Sequence, residues 1–363
     1  MTKPRLVVIG GGLGGHKIAH ALQSAMETVL IDPKSFWEIP MAMPRQLVRP
    51  AELDSIVAFQ RFLPKVRHIQ ARAVAVTPEL VRVDGGEDVR FDYLVVATGA
   101  NYRSALVKPL EGDAASRIEY YRSLNAQVTA AGRILIVGAG PIGVEIAGEL
   151  SEEFPEKIVT LMEREGRLLP HASEKLSSWA AEALAKRGVN LVVGDELLSP
   201  VAPGSDVDTA GGEAVTGAGR RIAYDLALWC LGARSDATFL AQNFPDAVND
   251  RGEVIVNACL QAAGAQNVFA LGDATNFPAK GGVPLHGQVK VMQRNLLEIA
   301  RVGPAARLLP FKPPPALDLA VISLGRNAGV MKLPFGEFRA GWMARAFKSR
   351  DMLVGHLRKD IGV

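Results

Sequence analysis

Cysteine is almost absent from this 363-residue chain: Cys230 and Cys259 are the only two, and they lie in different segments. So placed, they form no CxxC redox pair, no metal-ligand set and no disulfide framework, which fits a reducing compartment. No metal is therefore expected. No uncharged run reaches the roughly 18 residues that a membrane-spanning helix needs. Charge of one sign is lacking too: 41 Lys+Arg against 38 Asp+Glu leave +3, too little to imply a nucleic-acid partner. Residue 2 is threonine, so the N-myristoylation pattern, which needs glycine there, is missing. A strand is expected from Arg5, leaving no room for a signal or transit peptide, and a cytoplasmic location follows as the expectation. The remaining composition, 48% hydrophobic and 22% charged, suits a globular chain with two or three cores.

Glycine, by contrast, is plentiful at 36 residues, and it recurs in a pattern. Arg5 to Gly15 reads RLVVIGGGLGG and Ile134 to Glu145 reads ILIVGAGPIGVE. In each, an apolar run enters a glycine turn and a helix leaves it. In Gly10-x-Gly12-x-x-Gly15 and Gly138-x-Gly140-x-x-Gly143, the first glycine permits a tight turn. The second lets backbone approach a pyrophosphate, and the third lets helix and strand pack closely. One such motif is weak evidence. Here each copy also has an acid closing the next strand: Asp32, 17 residues after Gly15, and Glu163, 20 after Gly143. A carboxylate there can accept ribose hydroxyls. Either acid alone could be a polar strand end; both sets together favour two dinucleotide sites.

The rest of the chain repeats the same order. Residues 71–98 alternate and turn at Gly85-Gly86, as an antiparallel meander would. Residues 133–163 restate the strand-turn-helix-strand unit, and a second meander follows, with a glycine-rich loop over 203–219, closing on YDLALWCLGAR. NVFALGDAT (267–275) is a further glycine-ended strand, 283–302 a helix, and PFKPPPA (310–316) a linker to a strand-rich, basic tail. The predicted fold class is α/β: two Rossmann-like dinucleotide-binding domains, the second inserted in the first, plus a smaller C-terminal α+β domain. Residues 1–105 with 246–303 form the first, 106–245 the second and 304–363 the third. Two nicotinamides would do nothing useful together, whereas a flavin and a nicotinamide form a hydride-transfer pair. Gly272-Asp273 can set the acid against a ribityl chain, and Ala97 to Gly99 would be the matching turn.

On these motifs the chain resembles the two-dinucleotide-binding flavoprotein superfamily nearly end to end. More narrowly, IDPKSFWEIP (31–40), FPEKIVTL (154–161), ISLGRNAGV (322–330) and KSRDMLVGHLRKDIGV (348–363) resemble the apoptosis-inducing-factor-like and ferroptosis-suppressor flavoproteins. The resemblance implies FAD in the discontinuous domain, NAD(P)H in the inserted one, and reduction of quinones at a membrane surface. The cofactor contacts it implies run beyond the motif glycines and acids to Gly14, Lys34, Arg45, Val74, Thr98, Gly99 and Gln288 for the first dinucleotide. Ile142 and Gly232 join the second. The CxxxxC pair of disulfide reductases, expected between Asp32 and about Arg49, is absent, which removes thiol–disulfide exchange.

Glu145 begins the second motif's helix. It is either an acid favoured by the helix dipole or, as the resemblance implies, a group beside nicotinamide and flavin, paired with a basic residue. Arg45 is the candidate partner. Lys348 is a surface charge or, by its place in KSRD, part of the active site. Phe36 and Trp37 are core or the lining for a flat quinone; both cysteines are small buried hydrophobes. From Arg339 to Lys359 six basic residues face one acid, with Trp342, Met343, Phe347, Met352, Leu353 and Leu357 among them. Such a segment either lies on an anionic membrane or packs on the nucleotide domains. The resulting expectation is an FAD-dependent NAD(P)H:quinone oxidoreductase, catalytic residues Glu145, Lys348 and Arg45. Glu163 should favour NADH over NADPH without excluding it, since Arg164 and Arg167 follow. The alternatives are an NADH reductase of a ferredoxin-like protein and a non-catalytic, NADH-sensing flavin scaffold. A quinone or other small acceptor is the expected partner; a homodimer is compatible with the sequence but not specified by it.

Overall fold

The computed structural model describes the chain except residues 1–2, 51, 103–105, 107–111, 201–206, 209, 279, 314–319, 340 and 342–344. Trp342, Met343, the expected boundary at residue 105, and parts of the 203–219 loop and the 310–316 linker lie outside the described residues.

Two sheets of one design organise the molecule. In the first, Tyr93–Val96, Arg5–Ile9, Glu27–Ile31 and Arg67–Ile69 run parallel in that order, with Val268–Ala270 added beside Tyr93–Val96. In the second, Leu226–Trp229, Arg133–Val137, Ile158–Glu163 and Asn190–Val193 repeat the order, with the short antiparallel edge Val207–Asp208 outside. The glycine-motif strand is thus central in both. Such strands are buried on two faces, which is why they read as unbroken apolar runs. Leu6 and Val8 belong to one core and Val7 and Ile9 to another. Ile134 and Ile136 are likewise separated from Leu135 and Val137.

Helices cover these sheets: α1 (Gly15–Leu22), α2 (Met43–Val48), α3 (Ala114–Ala130), α4 (Pro141–Glu153), α5 (Glu174–Ala185), α6 (Thr238–Ala241) and α7 (Gly282–Val302). Their ends follow local chemistry. Pro141 opens α4, where its missing N–H costs nothing. Asp113 and Ser173 cap α3 and α5 by accepting from Ser116 N at 2.9 Å and Leu176 N at 3.2 Å. Gly303, at φ +79°, stops α7.

Both meanders are present, as Ala73–Val76, Leu80–Val83 and Asp88–Arg90, and as Leu197–Ser199, Gly212–Thr216 and Arg221–Tyr224. A two-stranded antiparallel ribbon, Ala100–Tyr102 with Ala233–Ser235, links the two sheet systems, with Ala100 opposite Ser235. The C-terminal sheet (Ala320–Ser323, Gly329–Leu333, Gly336–Phe338) packs on α4 and α5. A π-helical turn, Arg345–Ser349, and a last helix, Val354–Asp360, complete the chain.

Candidate active site

The two glycine turns are near copies. Gly10 and Gly138 have φ of +97° and +101°, a region that favours glycine. A Cβ on either would stand 2.6 Å from a carbonyl oxygen, that of Ala97 or of Cys230. A Cβ on Gly15 or Gly143 would collide with the first glycine's carbonyl oxygen at 1.8 or 2.0 Å. Above Gly12 and Gly140 nothing lies within 4 Å. Each of the three glycine roles therefore has its geometric counterpart, twice over. Gly14 differs, since a Cβ there would meet the side-chain ends of Leu271 and Leu285.

The acids at the strand ends also match. Asp32 Oδ2 accepts from Gly11 N at 2.6 Å, and Oδ1 accepts from Lys34 N at 2.8 Å and Lys34 Nζ at 2.7 Å. Glu163 Oε2 accepts from Ala139 N at 2.8 Å and Oε1 from Glu165 N at 3.1 Å. Each carboxylate is pinned to its glycine turn, and a carboxylate has about four acceptor positions, enough to take ribose hydroxyls as well. Among the described residues no acceptor meets the N–H groups of Gly12, Leu13 and Gly14. Free donors at a helix start, open space over the second glycine and a carboxylate beyond it fit a dinucleotide at the first turn. The open second glycine and pinned acid do the same at the second.

Gly99, at φ +65°, leads into the ribbon from one side and Gly232, exposed, from the other. Thr98 stands between Ala97 and Gly99 at the exit of the first sheet. Gln288, buried, accepts from Gly272 N at 2.7 Å through Oε1, so its side chain shapes the turn. Asp273 Oδ1 accepts from Gly281 N at 3.1 Å, just before α7, and its carbonyl accepts from Ser235 Oγ at 2.6 Å. Ile142 is half-buried in the first turn of α4. Val74 is 53% exposed on the first meander, its side chain in solvent.

Sequence spacing of four puts Glu145, Glu149 and Glu153 on one face of α4. Each is taken by a different cation. Glu145, buried, accepts from Ser323 N at 3.0 Å and is ion-paired with Lys348, whose Nζ also reaches Val321 O at 3.3 Å. Glu149 is held by Arg45, with Nε to Oε2 at 2.5 Å and Nη2 to Oε1 at 2.9 Å. Glu153 binds Arg49 at 2.5 Å. The expected partnership of Arg45 with Glu145 is thus corrected: α2 meets α4 one turn further along, and Lys348 from the tail takes the place beside Glu145. Arg45, wholly buried, also binds Glu52 at 2.9 Å and the Ser349 carbonyl at 3.0 Å. Burial pushes the Glu149 carboxyl above the usual carboxylate range, and Arg45 pulls it back.

Phe36 and Trp37 are fully buried, so the core reading holds and a quinone lining does not. The tail's described apolar residues go the same way. Met352 and Leu357 are buried in the first core, with Leu353 packed against it. Arg358 is paired with Asp54 at 2.5 Å and Arg339 with Glu182. The cysteines, expected to be buried, are both only half-buried, and neither is in a disulfide. Sequence reading missed a buried cluster of Glu38, Arg117 and Tyr121, with Arg117 Nε on Glu38 Oε2 at 3.0 Å. No local spacing announces it, because 79 residues separate the ion pair. Among the described residues no cluster of metal-ligating side chains occurs, and no helix is long and apolar enough to cross a membrane.

Comparison with known proteins agrees with this geometry. The family described as pyridine nucleotide-disulphide oxidoreductase matches residues 4–295. The chain belongs to that family. It is accordingly an FAD-dependent pyridine nucleotide oxidoreductase, although the disulphide in the family's name has no counterpart here, since Cys230 and Cys259 form no disulfide. This oxidoreductase is similar to ferroptosis suppressor protein 1 of Xenopus tropicalis, at 30% identity over 99% of this chain and 96% of that one. It is 28% identical to apoptosis-inducing factor homolog A of Dictyostelium discoideum, over 98% and 91% of the two chains. Among solved structures it shares its fold with the sulfide:quinone oxidoreductase of Aquifex aeolicus, with a TM-score of 0.75 at 18% identity, covering 98% and 92%. It shares it also with NDH2 of Plasmodium falciparum in complex with NADH, with a TM-score of 0.73 at 14% identity, covering 99% and 97%.

Proposed function

We propose that this oxidoreductase is an NAD(P)H:quinone reductase. Residues 1–105 and 246–303 hold FAD at the Gly10 turn, 106–245 hold NAD(P)H at the Gly138 turn, and 304–363 close the site from the C-terminal side. When bound, the two cofactors supply hydride transfer and two-electron delivery; the chain supplies orientation and charge. The observation that carries the reading is the paired construction of two dinucleotide turns whose exits, Gly99 and Gly232, feed one hydrogen-bonded ribbon. The quinone rests on the likeness to the ferroptosis-suppressor flavoproteins and on the fold shared with a sulfide:quinone oxidoreductase.

Glu145 and Lys348 are the residues assigned to the nicotinamide–flavin contact. The pair is shielded from water at the start of α4, so its geometry is fixed before any ligand arrives. Arg45 is reassigned to holding α4 against α2. Asp32 and Lys34 orient the adenosine half of FAD, and Glu163 favours the free 2′-hydroxyl of NADH. The tail's groups for a membrane contact are exposed Arg350 and Lys359, not the buried Met352 and Leu357. The test is NADH oxidation by the purified yellow protein with and without a soluble quinone. Electron transfer to a ferredoxin but not to quinone would shift the assignment to a ferredoxin-type reductase.

A further inference from the structure

The two glycine turns differ at one residue that the duplication itself exposes. Val144 follows Gly143 in the second turn, and His16 follows Gly15 in the first. Both are fully buried. Both backbones make the same first helical bond, Val144 N to Gly140 O at 3.1 Å and His16 N to Gly12 O at 3.2 Å. Only the first turn adds a second bond to the glycine carbonyl: His16 Nδ1 stands 2.8 Å from Gly12 O.

A carbonyl oxygen only accepts, so Nδ1 carries the proton and Nε2 its lone pair. The ring is clamped by Trp37, centroids 4.2 Å apart, and meets Phe62 edge-on at 5.6 Å. Burial holds the imidazole far below its ordinary 6.5, at about 3, so it stays a neutral donor. A charged ring would be a poor fit in this apolar box. Neutral, it can hold the Gly12 carbonyl without competing for the phosphate charge.

We propose that His16 is a positioning residue for the FAD pyrophosphate. Gly12 is the glycine with open space above it, the point where backbone approaches the ligand. Its carbonyl, if free to swing outward, would present negative charge to the phosphates. Two donors from His16, one backbone and one side chain, keep it turned inward. The N–H of Leu13, which shares the peptide plane of the Gly12 carbonyl and points the opposite way, is thereby kept facing the anion.

The inference rests on FAD occupying the first turn, and the test separates the two. FAD content and FAD release, followed by recovery of flavin fluorescence on dilution of the holoprotein, are compared for wild type, His16→Val and His16→Asn. Valine reproduces the second turn; asparagine keeps an N–H donor one bond from Cγ, as Nδ1 is. Loss of one hydrogen bond corresponds to up to about tenfold in release rate. His16→Val should release FAD about tenfold faster, and His16→Asn should stay within about twofold of wild type. Imidazole ¹⁵N shifts of the wild type should report the neutral Nδ1–H tautomer. Release from His16→Val at the wild-type rate would overturn the proposal. So would equally fast release from both variants, since ring volume would then be the cause. Wild-type protein purified without FAD would instead sink the cofactor assignment itself.

Discussion

Arg45 offers a sharp test because the sequence and the structure assign it different work. Its guanidinium has no solvent exposure and bridges Glu149, Glu52 and the Ser349 carbonyl, so three separate stretches meet on it. Arg45→Met keeps much of the aliphatic bulk and removes the charge. Glu149, 3% exposed, is then left without its cation, and breaking a buried pair from one side costs about 3–5 kcal/mol. At roughly 2.1 cal/mol/K per residue, 363 residues give an unfolding entropy near 0.76 kcal/mol/K, so the melting temperature should fall by about 4–7 °C. Replacing Glu149 as well, by leucine, removes the stranded charge and should restore most of the loss. The assay is thermal unfolding followed by far-UV signal and flavin release, beside single-turnover reduction of the flavin by NADH. A clasp between helices predicts lower stability with near-normal reduction in the surviving folded protein. If Arg45→Met melts normally yet reduces its flavin slowly, Arg45 acts at the nicotinamide and the clasp reading is wrong.

Glu145→Ala should slow flavin reduction by NADH while FAD stays bound, because Glu145 lies on α4 of the second unit; an unchanged rate would return it to a helix-dipole role. Glu163→Ala should lower the NADH:NADPH efficiency ratio by about tenfold, and a ratio left untouched would show that the acid does not read the ribose. His16 is neutral when folded, with a pKa of about 3, and ordinary when unfolded, so the unfolded state binds more protons between those values. Stability should therefore fall as pH drops below 6.5, by up to about 1.4 kcal/mol per pH unit, and His16→Asn should flatten that slope in urea midpoints measured from pH 7 to 5. Leu357→Ala should cost about 2–5 kcal/mol, as truncation in a packed core does, and a variant that unfolds normally while losing vesicle binding would restore the membrane reading of the tail.

Where chemistry and spacing were local, the sequence carried the structure. Both glycine turns, the acids Asp32 and Glu163, and the two meanders could be read because each signal spans thirty residues or fewer. The C-terminal helix shows the limit. A segment with basic and large apolar residues has the same pattern whether it covers a bilayer or a protein core. Only the placement of Met352 and Leu357 under the first sheet system distinguishes them. Arg45 failed in a different way. Which rung of α4 it meets depends on how α2 lies against that helix, a tertiary register that no local motif encodes. The acid ladder of Glu145, Glu149 and Glu153 was visible, yet its three cations come from positions 348, 45 and 49.

The ribbon between Ala100–Tyr102 and Ala233–Ser235 sets a length scale for the molecule. Gly99 and Gly232 each stand one residue before a strand of this ribbon, so the span between the two exits is counted in rungs of a backbone ladder. Surface loops in general tolerate gained or lost residues. Here one inserted residue would slide the pairing by about 3.3 Å and reverse the side-chain facing of the strand. A shift of that size is comparable to the contact distance that a hydride must cross. Insertions between Gly99 and Tyr102, or between Gly232 and Ser235, should thus uncouple the two sites while leaving each turn able to bind its own nucleotide.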